Sequence, residues 1–467
     1  MTRADPAVLM VTLGCPKNRV DSELLLGRFH AQGARFTDDA EEADILLVNT
    51  CGFIDAAKEE SVHAIMDLAR LKQESPEKKL VVTGCLAERY PEALRTEIPE
   101  IDVLTGNGAF ETLDLTLEAQ RSERSELSFL HDALAPRVNT FLPHSAYLKV
   151  AEGCDQRCSF CIIPSLRGLQ RSRPVDDIVK EARQLVDRGI VELNLVAQDL
   201  TGYGSDLSPK VHITQVLEQL VELDGLRWVR IHYLFPRKLP DAFYDVFAHP
   251  KVAPYVDLPL QHVSAPILKA MRRPSSEKLV DRMLERLRKA RPDARLRTSF
   301  IVGFPGETEA DHRAIAPFVE RHDFDHVGVF RFSVEEGTPS ADMPNQVPED
   351  EAERRRDALM DWLRDRSRRR LSRWLGHRLE VLVDGPSAET ELLLSARHGG
   401  QAPEVDGQVY INDGEARAGD FVEVEITDTF DYDMVGHMTR SIERAPARPA
   451  GFRMDGDERP GRLPIIS

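Results

Sequence analysis

The chain has 467 residues, 42 % hydrophobic and 30 % charged, with 61 Lys and Arg against 78 Asp and Glu, a formal charge of −17. That length exceeds what one core supports and points to about three domains. The acidic balance argues against a nucleic-acid binder working through bulk electrostatics and makes a basic protein the easier partner.

Six cysteines in so long a chain do not make a disulfide scaffold and read as metal ligands or catalytic groups. The longest apolar runs, such as 45–48, are too short to span a bilayer. The start Met1-Thr2-Arg3-Ala4-Asp5-Pro6 lacks a signal peptide's apolar core, so a cytoplasmic protein is expected. Nothing in the sequence asks for an obligate dimer, and a monomer is expected.

Residues 1–118 alternate strands and helices. An apolar strand at 8–13 ends at Gly14-Cys15, and a helix opens at Asp21-Ser22-Glu23 and runs through Phe29. A strand at 45–48 ends at Asn49-Thr50-Cys51-Gly52, a helix covers 56–71, and a strand at 80–83 ends at Gly84-Cys85. Fully apolar strands separated by helices imply a parallel sheet covered on both faces. The carboxyl ends of such strands share one edge, so Cys15, Cys51 and Cys85 can converge on one point. Gly14, Gly52 and Gly84 would let a bulky ligand approach. This predicts a three-thiolate cluster site; the plainer reading is that small cysteines fit strand ends.

Residues 119–144 contain Arg-Ser-Glu-Arg-Ser-Glu, Pro136 and Pro143 and read as a linker with little core of its own. A strand at 147–150 then leads into Cys154-Asp155-Gln156-Arg157-Cys158-Ser159-Phe160-Cys161, three cysteines at the spacing C-x-x-x-C-x-x-C. The loop sits at a strand's carboxyl end, where α/β folds put their chemistry. Three thiolates are one ligand short of a closed structural site, which suits a 4Fe–4S cluster whose fourth iron stays free.

Strands at 191–196, 228–233, 255–258, 297–302 and 326–331, a helix over 176–186 and helical patterns between complete six β/α units. They make a partial (β/α)6 TIM-like barrel, whose half-open mouth suits a macromolecular substrate. The charged helix 349–373 reads first as a solvated face packed between domains, and only second as a contact for ribosomal RNA. From Arg378 the pattern changes to short strands at 379–383, 392–396, 408–411 and 421–426, a small antiparallel β-barrel. Between Arg378 and Arg440 stand 14 Asp and Glu against four Arg. The expected division of this α/β chain is 1–118, a linker over 119–144, 145–373, 374–443 and a disordered tail over 444–467.

The stretches 13–23 (Leu-Gly-Cys-Pro-Lys-Asn-Arg-Val-Asp-Ser-Glu), 49–54, 83–86, 257–262 and 303–308, with the central triad, resemble the methylthiotransferase family of radical S-adenosylmethionine (SAM) enzymes. The resemblance covers about residues 8–438. Pro16-Lys17-Asn18 and the run 161–168 are similar to the branch that modifies a ribosomal protein rather than the branch that modifies tRNA. The resemblance implies a C-terminal TRAM barrel and two 4Fe–4S clusters. One, on Cys154, Cys158 and Cys161, binds SAM for one-electron cleavage to a 5′-deoxyadenosyl radical; the other, on Cys15, Cys51 and Cys85, holds the sulfur to be transferred. The implied reaction adds a methylthio group to the β-carbon of an aspartate of ribosomal protein uS12, whose unactivated C–H bond no side-chain base can break.

Methylthiolation of a tRNA adenosine is the nearest rival, and a non-catalytic two-cluster electron carrier the rival from another class. The acidic terminal barrel would repel tRNA and attract a basic ribosomal protein; the electron donor is not legible. Beyond the cysteines, Phe160 is expected near the adenine, with packing as the alternative. Gln198 and Asp199 are expected near the cofactor's methionine or ribose. Gly303 to Glu307 would pass close to adenine or form a purely structural turn. Arg297 would reach the cofactor carboxylate or make a salt bridge to the barrel. For His262 a satisfied hydrogen bond is the simpler role.

Overall fold

The computed structural model describes residues 5–108, 113–117, 130–273 and 276–446. The charged run at 121–126 and all but the first three residues of the expected tail lie outside the described residues. The first sheet holds β1 (Ala7–Thr12), β2 (Arg35–Phe36), β3 (Ile45–Thr50), β4 (Lys79–Gly84) and β5 (Val103–Leu104). They run parallel in the order β2-β1-β3-β4-β5. Successive side chains of a strand point to opposite faces, and both faces here are apolar. Leu9, Val11, Leu46 and Val48 pack on the helix Asp55–Glu74; Val8, Met10, Ile45 and Leu47 pack with Leu25, Leu26 and Phe29 of the helix Pro16–Ala31.

That second helix begins five residues before the expected start. Pro16 occupies its first turn, where the missing N–H is no loss, and Cys15 is its N-cap residue. The apolar pattern failed to mark these turns because Lys17, Asn18, Arg19, Asp21, Ser22 and Glu23 are buried polar residues.

The second sheet holds β6 (Ser145–Lys149), β9 (Glu192–Val196), β10 (Trp228–Ile231), β11 (Val252–Asp257), β12 (Arg295–Val302) and β13 (His326–Arg331), while β7 (Ala151–Glu152) and β8 (Arg171–Ser172) form a separate antiparallel pair. The six pair in parallel in the order β13-β12-β11-β10-β9-β6. Alternate residues such as Leu148, Leu195, Ile231, Val256 and Phe300 join one cluster with the surrounding helices. The residues between them, Lys149, Glu192, Arg230 and Asp257, are buried and charged, so the lumen is polar.

The sheet does not close on itself, and both its edges are covered. Val20 and Leu24 of Pro16–Ala31 pack with Tyr147 of β6, and the helix Glu349–Leu371 lies along β13 with Leu359 and Leu363 in the barrel core. Both edges are thus filled by the chain itself, and the carboxyl ends of the strands remain as the mouth of the barrel. Arg355 and Arg366 of the long helix are buried against the barrel, while Arg354 and Arg356 pair with carboxylates of the helix itself. This is the packed, solvated helix rather than a free cationic face.

The third sheet is a closed barrel of β14 (Arg378–Pro386), β15 (Leu394–His398), β16 (Val409–Asp413), β17 (Phe421–Thr429) and β18 (Met434–Glu443), ordered β14-β15-β16-β18-β17. Two corrections apply. The last strand was not foreseen, because it buries only Met434 and Gly436 and carries no apolar run; and it pairs with β16 in parallel, so the barrel is not wholly antiparallel.

The loop after β15 forms the floor of the six-stranded barrel. Arg230 Nη1 donates to Gly399 O at 2.6 Å, a Cβ on Gly399 would stand 2.8 Å from Pro254, and Ala402 packs on Ala253 and Tyr255.

The described part of the expected linker is not passive. Arg137, 7 % exposed, donates to Glu23 Oε2 at 2.6 Å and to Glu181 Oε1 at 2.6 Å, tying the first sheet's helix to the barrel. Its apolar content is low because its burial is polar.

Candidate active site

Cys15 caps a helix, Cys51 follows β3 and Cys85 opens the helix Cys85–Arg89 after β4. A Cβ on Gly14 would lie 2.9 Å from Cys51 Sγ, and one on Gly52 would lie 2.9 Å from Cys85 O, so the three strand ends touch through their glycines. Gly14 and Gly84 also hold φ of +86° and +97°, which a side chain resists.

The thiols act on one another. Burial, then the charges of Cys15 and Cys85, push Cys51 up to about 12. Burial also acts on Cys15, but Lys17, Arg167 and the N–H groups of Asn18 and Lys17 bring it below the ordinary thiol value. The close approach of Gly14 to Cys51 and of Gly52 to Cys85 thus makes the three cysteines neighbours at one sheet edge.

The second triad lies on the loop between β7 and β8. Gly153, with φ +75° and Leu169 O where a Cβ would be, starts the loop. Backbone bonds from Cys154 N to Gly168 O and Ser159 N to Met271 O hold it. Gln156 Nε2 donates to Asp199 Oδ2 at 3.0 Å, and Arg273 Nη1 approaches Cys158 Sγ at 3.6 Å. Burial raises Cys154 to about 11 and Cys161 to about 12, with Cys158's charge contributing to both.

The triads sit on adjoining elements. Cys85 packs against Ile162 and Leu166, just past Cys161. Arg167 crosses from that loop to the first triad: its Nη1 donates to Asp21 Oδ2 at 3.1 Å and Glu152 Oε2 at 3.0 Å, and its charge acts on Cys15, Cys51 and Cys85. Lys149 pairs with the same two carboxylates.

Of the other expected contacts, Phe160 is half-buried beside Ile267, Phe304 and Phe332. Gln198 Nε2 donates to Glu152 Oε1 at 3.0 Å, and its Oε1 is buried without a partner, which leaves an acceptor for a ligand. Asp199 is occupied by Gln156, by Arg237 and by the N–H groups of Thr201 and Gly202.

For three more of the expected contacts the chain itself supplies partners, in line with the structural alternative for each. Arg297 pairs with Asp257 at 3.2 Å and with Asp406 of the floor loop at 3.5 Å, so it takes the salt-bridge role. Glu307 accepts from Gly303 N at 2.7 Å, Phe304 N at 3.3 Å and Arg355 Nη1 at 3.0 Å, so it locks a structural turn. Gly303 serves the same turn, with φ +77° and Ala352 Cβ 2.4 Å from where its own Cβ would be. Burial raises the Glu307 carboxyl above its ordinary value. His262 accepts from Ser264 N through Nδ1 at 2.9 Å, while its Nε2 makes no hydrogen bond and faces Glu307 Oε2 at 3.8 Å.

Sequence reasoning missed Lys17, Arg167, Tyr233 and Arg273. Lys17 and Arg167 stand close to cysteines in the chain and were within reach of that signal; Tyr233 and Arg273 are brought in by the fold alone.

Three family descriptions cover most of the chain: uncharacterized protein family UPF0004 over residues 7–106, the radical SAM superfamily over 148–319 and the TRAM domain over 375–439. The ribosomal protein uS12 methylthiotransferase RimO of Anaeromyxobacter sp. (strain Fw109-5) is 50 % identical over 99 % of this chain and 100 % of its own. The chain belongs to the RimO family. The RimO of Myxococcus xanthus (strain DK1622) is 46 % identical over 100 % of this chain and 98 % of its own.

The solved radical SAM methyltransferase TsrM from Kitasatospora setae, with tryptophan and a SAM analogue, superposes with a TM-score of 0.51 at 15 % identity, over 70 % of this chain and 73 % of that one. That is a likeness of fold. As a RimO-family member the chain is a radical SAM methylthiotransferase, with SAM and 4Fe–4S clusters as cofactors. The donor sets fit: soft thiolates in threes suit a cluster with one open iron. Among the described residues, no three His, Cys, Asp or Glu side chains gather as tightly as a single metal ion needs.

Proposed function

We propose that this chain adds a methylthio group to the β-carbon of an aspartate of ribosomal protein uS12. The observation that supports the reading is that the loop of Cys154, Cys158 and Cys161 adjoins the sheet edge of Cys15, Cys51 and Cys85, with Cys85 packed against Ile162 and Leu166. Near full-length relatives at 46–50 % identity, named for uS12, support the substrate.

Bound clusters and SAM supply one-electron chemistry and sulfur that no side chain here can. The chain's own part is to hold and shield. Arg273, Gln156 and Asp199 fix the ligand loop. Gln198 Oε1 offers an acceptor to a donor of the cofactor's methionine or ribose, and Phe160 with Phe304 offers an apolar wall for adenine. The covered barrel edges and the floor loop exclude water.

The terminal barrel's 14 acidic residues against four Arg favour a basic protein over phosphate. On this reading one copy carries both thiol sets and can act as a monomer in the cytoplasm, where a ribosomal protein is met; among the described residues no helix is long and apolar enough to cross a membrane. The functional units are 1–118, 145–373 and 374–443.

Mass spectrometry of uS12 from cells lacking the gene tests the reading: the methylthio group should be missing, and unchanged uS12 with altered tRNA nucleosides would reverse it. Reconstituted, reduced protein should cleave SAM, and Cys158→Ala should not; absence of cleavage in the unaltered chain would leave only an electron carrier.

A further inference from the structure

Lys17 is a cation placed at the junction of the two thiol sets without a carboxylate of its own. It is 6 % exposed, and its Nζ stands 4.0 Å from the centroid of the Tyr233 ring. Among the described residues it has no ion pair, whereas Lys149 and Arg167 nearby are committed to Asp21 and Glu152. Tyr233 itself follows β10 with φ +57°, a conformation costly for a bulky residue and characteristic of functional sites. Besides the ring, only the more distant charges of Cys15 and Glu152 attract it, and cation–π attraction replaces only part of an ammonium's hydration, so Lys17 keeps capacity for an anion.

Resting on the proposed reaction, we propose that Lys17 binds the side-chain carboxylate of the acceptor aspartate and so selects aspartate over neutral side chains. The carboxylate is bonded to the carbon that must be modified, so gripping it from Cys15's own helix would hold that carbon beside the sulfur-bearing triad. Two other anions compete for the assignment, the Cys15 thiolate and the cofactor's carboxylate, and the test separates them.

The test uses full-length iron-loaded enzyme, unmodified uS12, and uS12 with the acceptor aspartate replaced by asparagine. Lys17→Met should lower kcat/KM on normal uS12 about 10–100-fold, mainly through KM, and narrow the preference for aspartate over asparagine by a similar factor. Lys17→Arg, which keeps the charge, should hold that preference. Iron and sulfide content report the state of the clusters. Loss of iron in Lys17→Met would make the lysine a counter-charge to the first cluster. Loss of 5′-deoxyadenosine formation without uS12 would make it a cofactor contact. An unchanged preference would remove it from recognition. Each of these overturns the inference alone. Failure of the unaltered chain to modify uS12 overturns the parent reading, and this inference with it.

Discussion

At the scale of single residues, the site depends on buried charges that satisfy one another. Arg167, 2 % exposed, faces both Asp21 and Glu152, and burial would raise Glu152 were Arg167 and Lys149 not holding it well below the usual carboxylate range. Arg167→Met leaves two buried carboxylates with one lysine and should cost about 3–5 kcal/mol, read as a lower urea midpoint together with less iron per chain. His262 gives a pH signature. Burial, outweighing Asp311, depresses it from 6.5 to about 4. Below pH 6.5 the unfolded chain takes up a proton that the folded histidine refuses, so stability falls by about 3 kcal/mol between pH 6.5 and 4; His262→Phe should flatten that part of a urea-midpoint-against-pH curve.

The placement of Cys15, Cys51 and Cys85 just past strand ends and of Cys154, Cys158 and Cys161 on one loop was legible, because that spacing is local and strand ends announce themselves through glycine. Arg297 and Glu307 were not, because their partners Asp406 and Arg355 lie 109 and 48 residues away in the chain, and no local pattern reports them.

At the scale of elements, the turn Gly303–Glu307 is a clamp between β12 and the helix Glu349–Leu371. Gly303→Ala combines a φ of +77° with a Cβ 2.4 Å from Ala352 Cβ and should cost about 2–4 kcal/mol. Adding Ala352→Gly should relieve the clash and recover part of that loss in urea unfolding. The contrast with the terminal barrel is instructive. Strands β1, β3 and β4 of the first sheet and the six of the second were readable because burial on one or both faces shows as apolar runs or alternation, whereas the two-residue β2 and β5 are too short to show either. β18 was not readable, since most of its residues are half-buried or exposed and its place is fixed by pairing with β16 and β17.

At the scale of the whole molecule, one carboxylate joins the two barrels. Glu192 accepts from Arg230 at 2.9 Å and from Arg397 of the terminal barrel at 2.9 Å. Burial pushes its pKa up, but Arg397 and Arg230 prevail and hold it well below the ordinary value. That stabilisation is present above the ordinary carboxylate pKa and is lost as acid titrates the group. Glu192→Gln should loosen the terminal barrel, which faster tryptic cleavage around Arg369 to Arg378 would reveal while the larger barrel stays folded.

The floor of the six-stranded barrel is the loop 399–406, and a ribosome makes it after all six cysteines have already left the peptidyl-transferase centre. Until that loop emerges, the lumen holds Arg230 and Glu192 beside open solvent rather than beneath a lid of protein. Messages cut short before this point would yield proteins that own all six thiols and still leak water into the lumen.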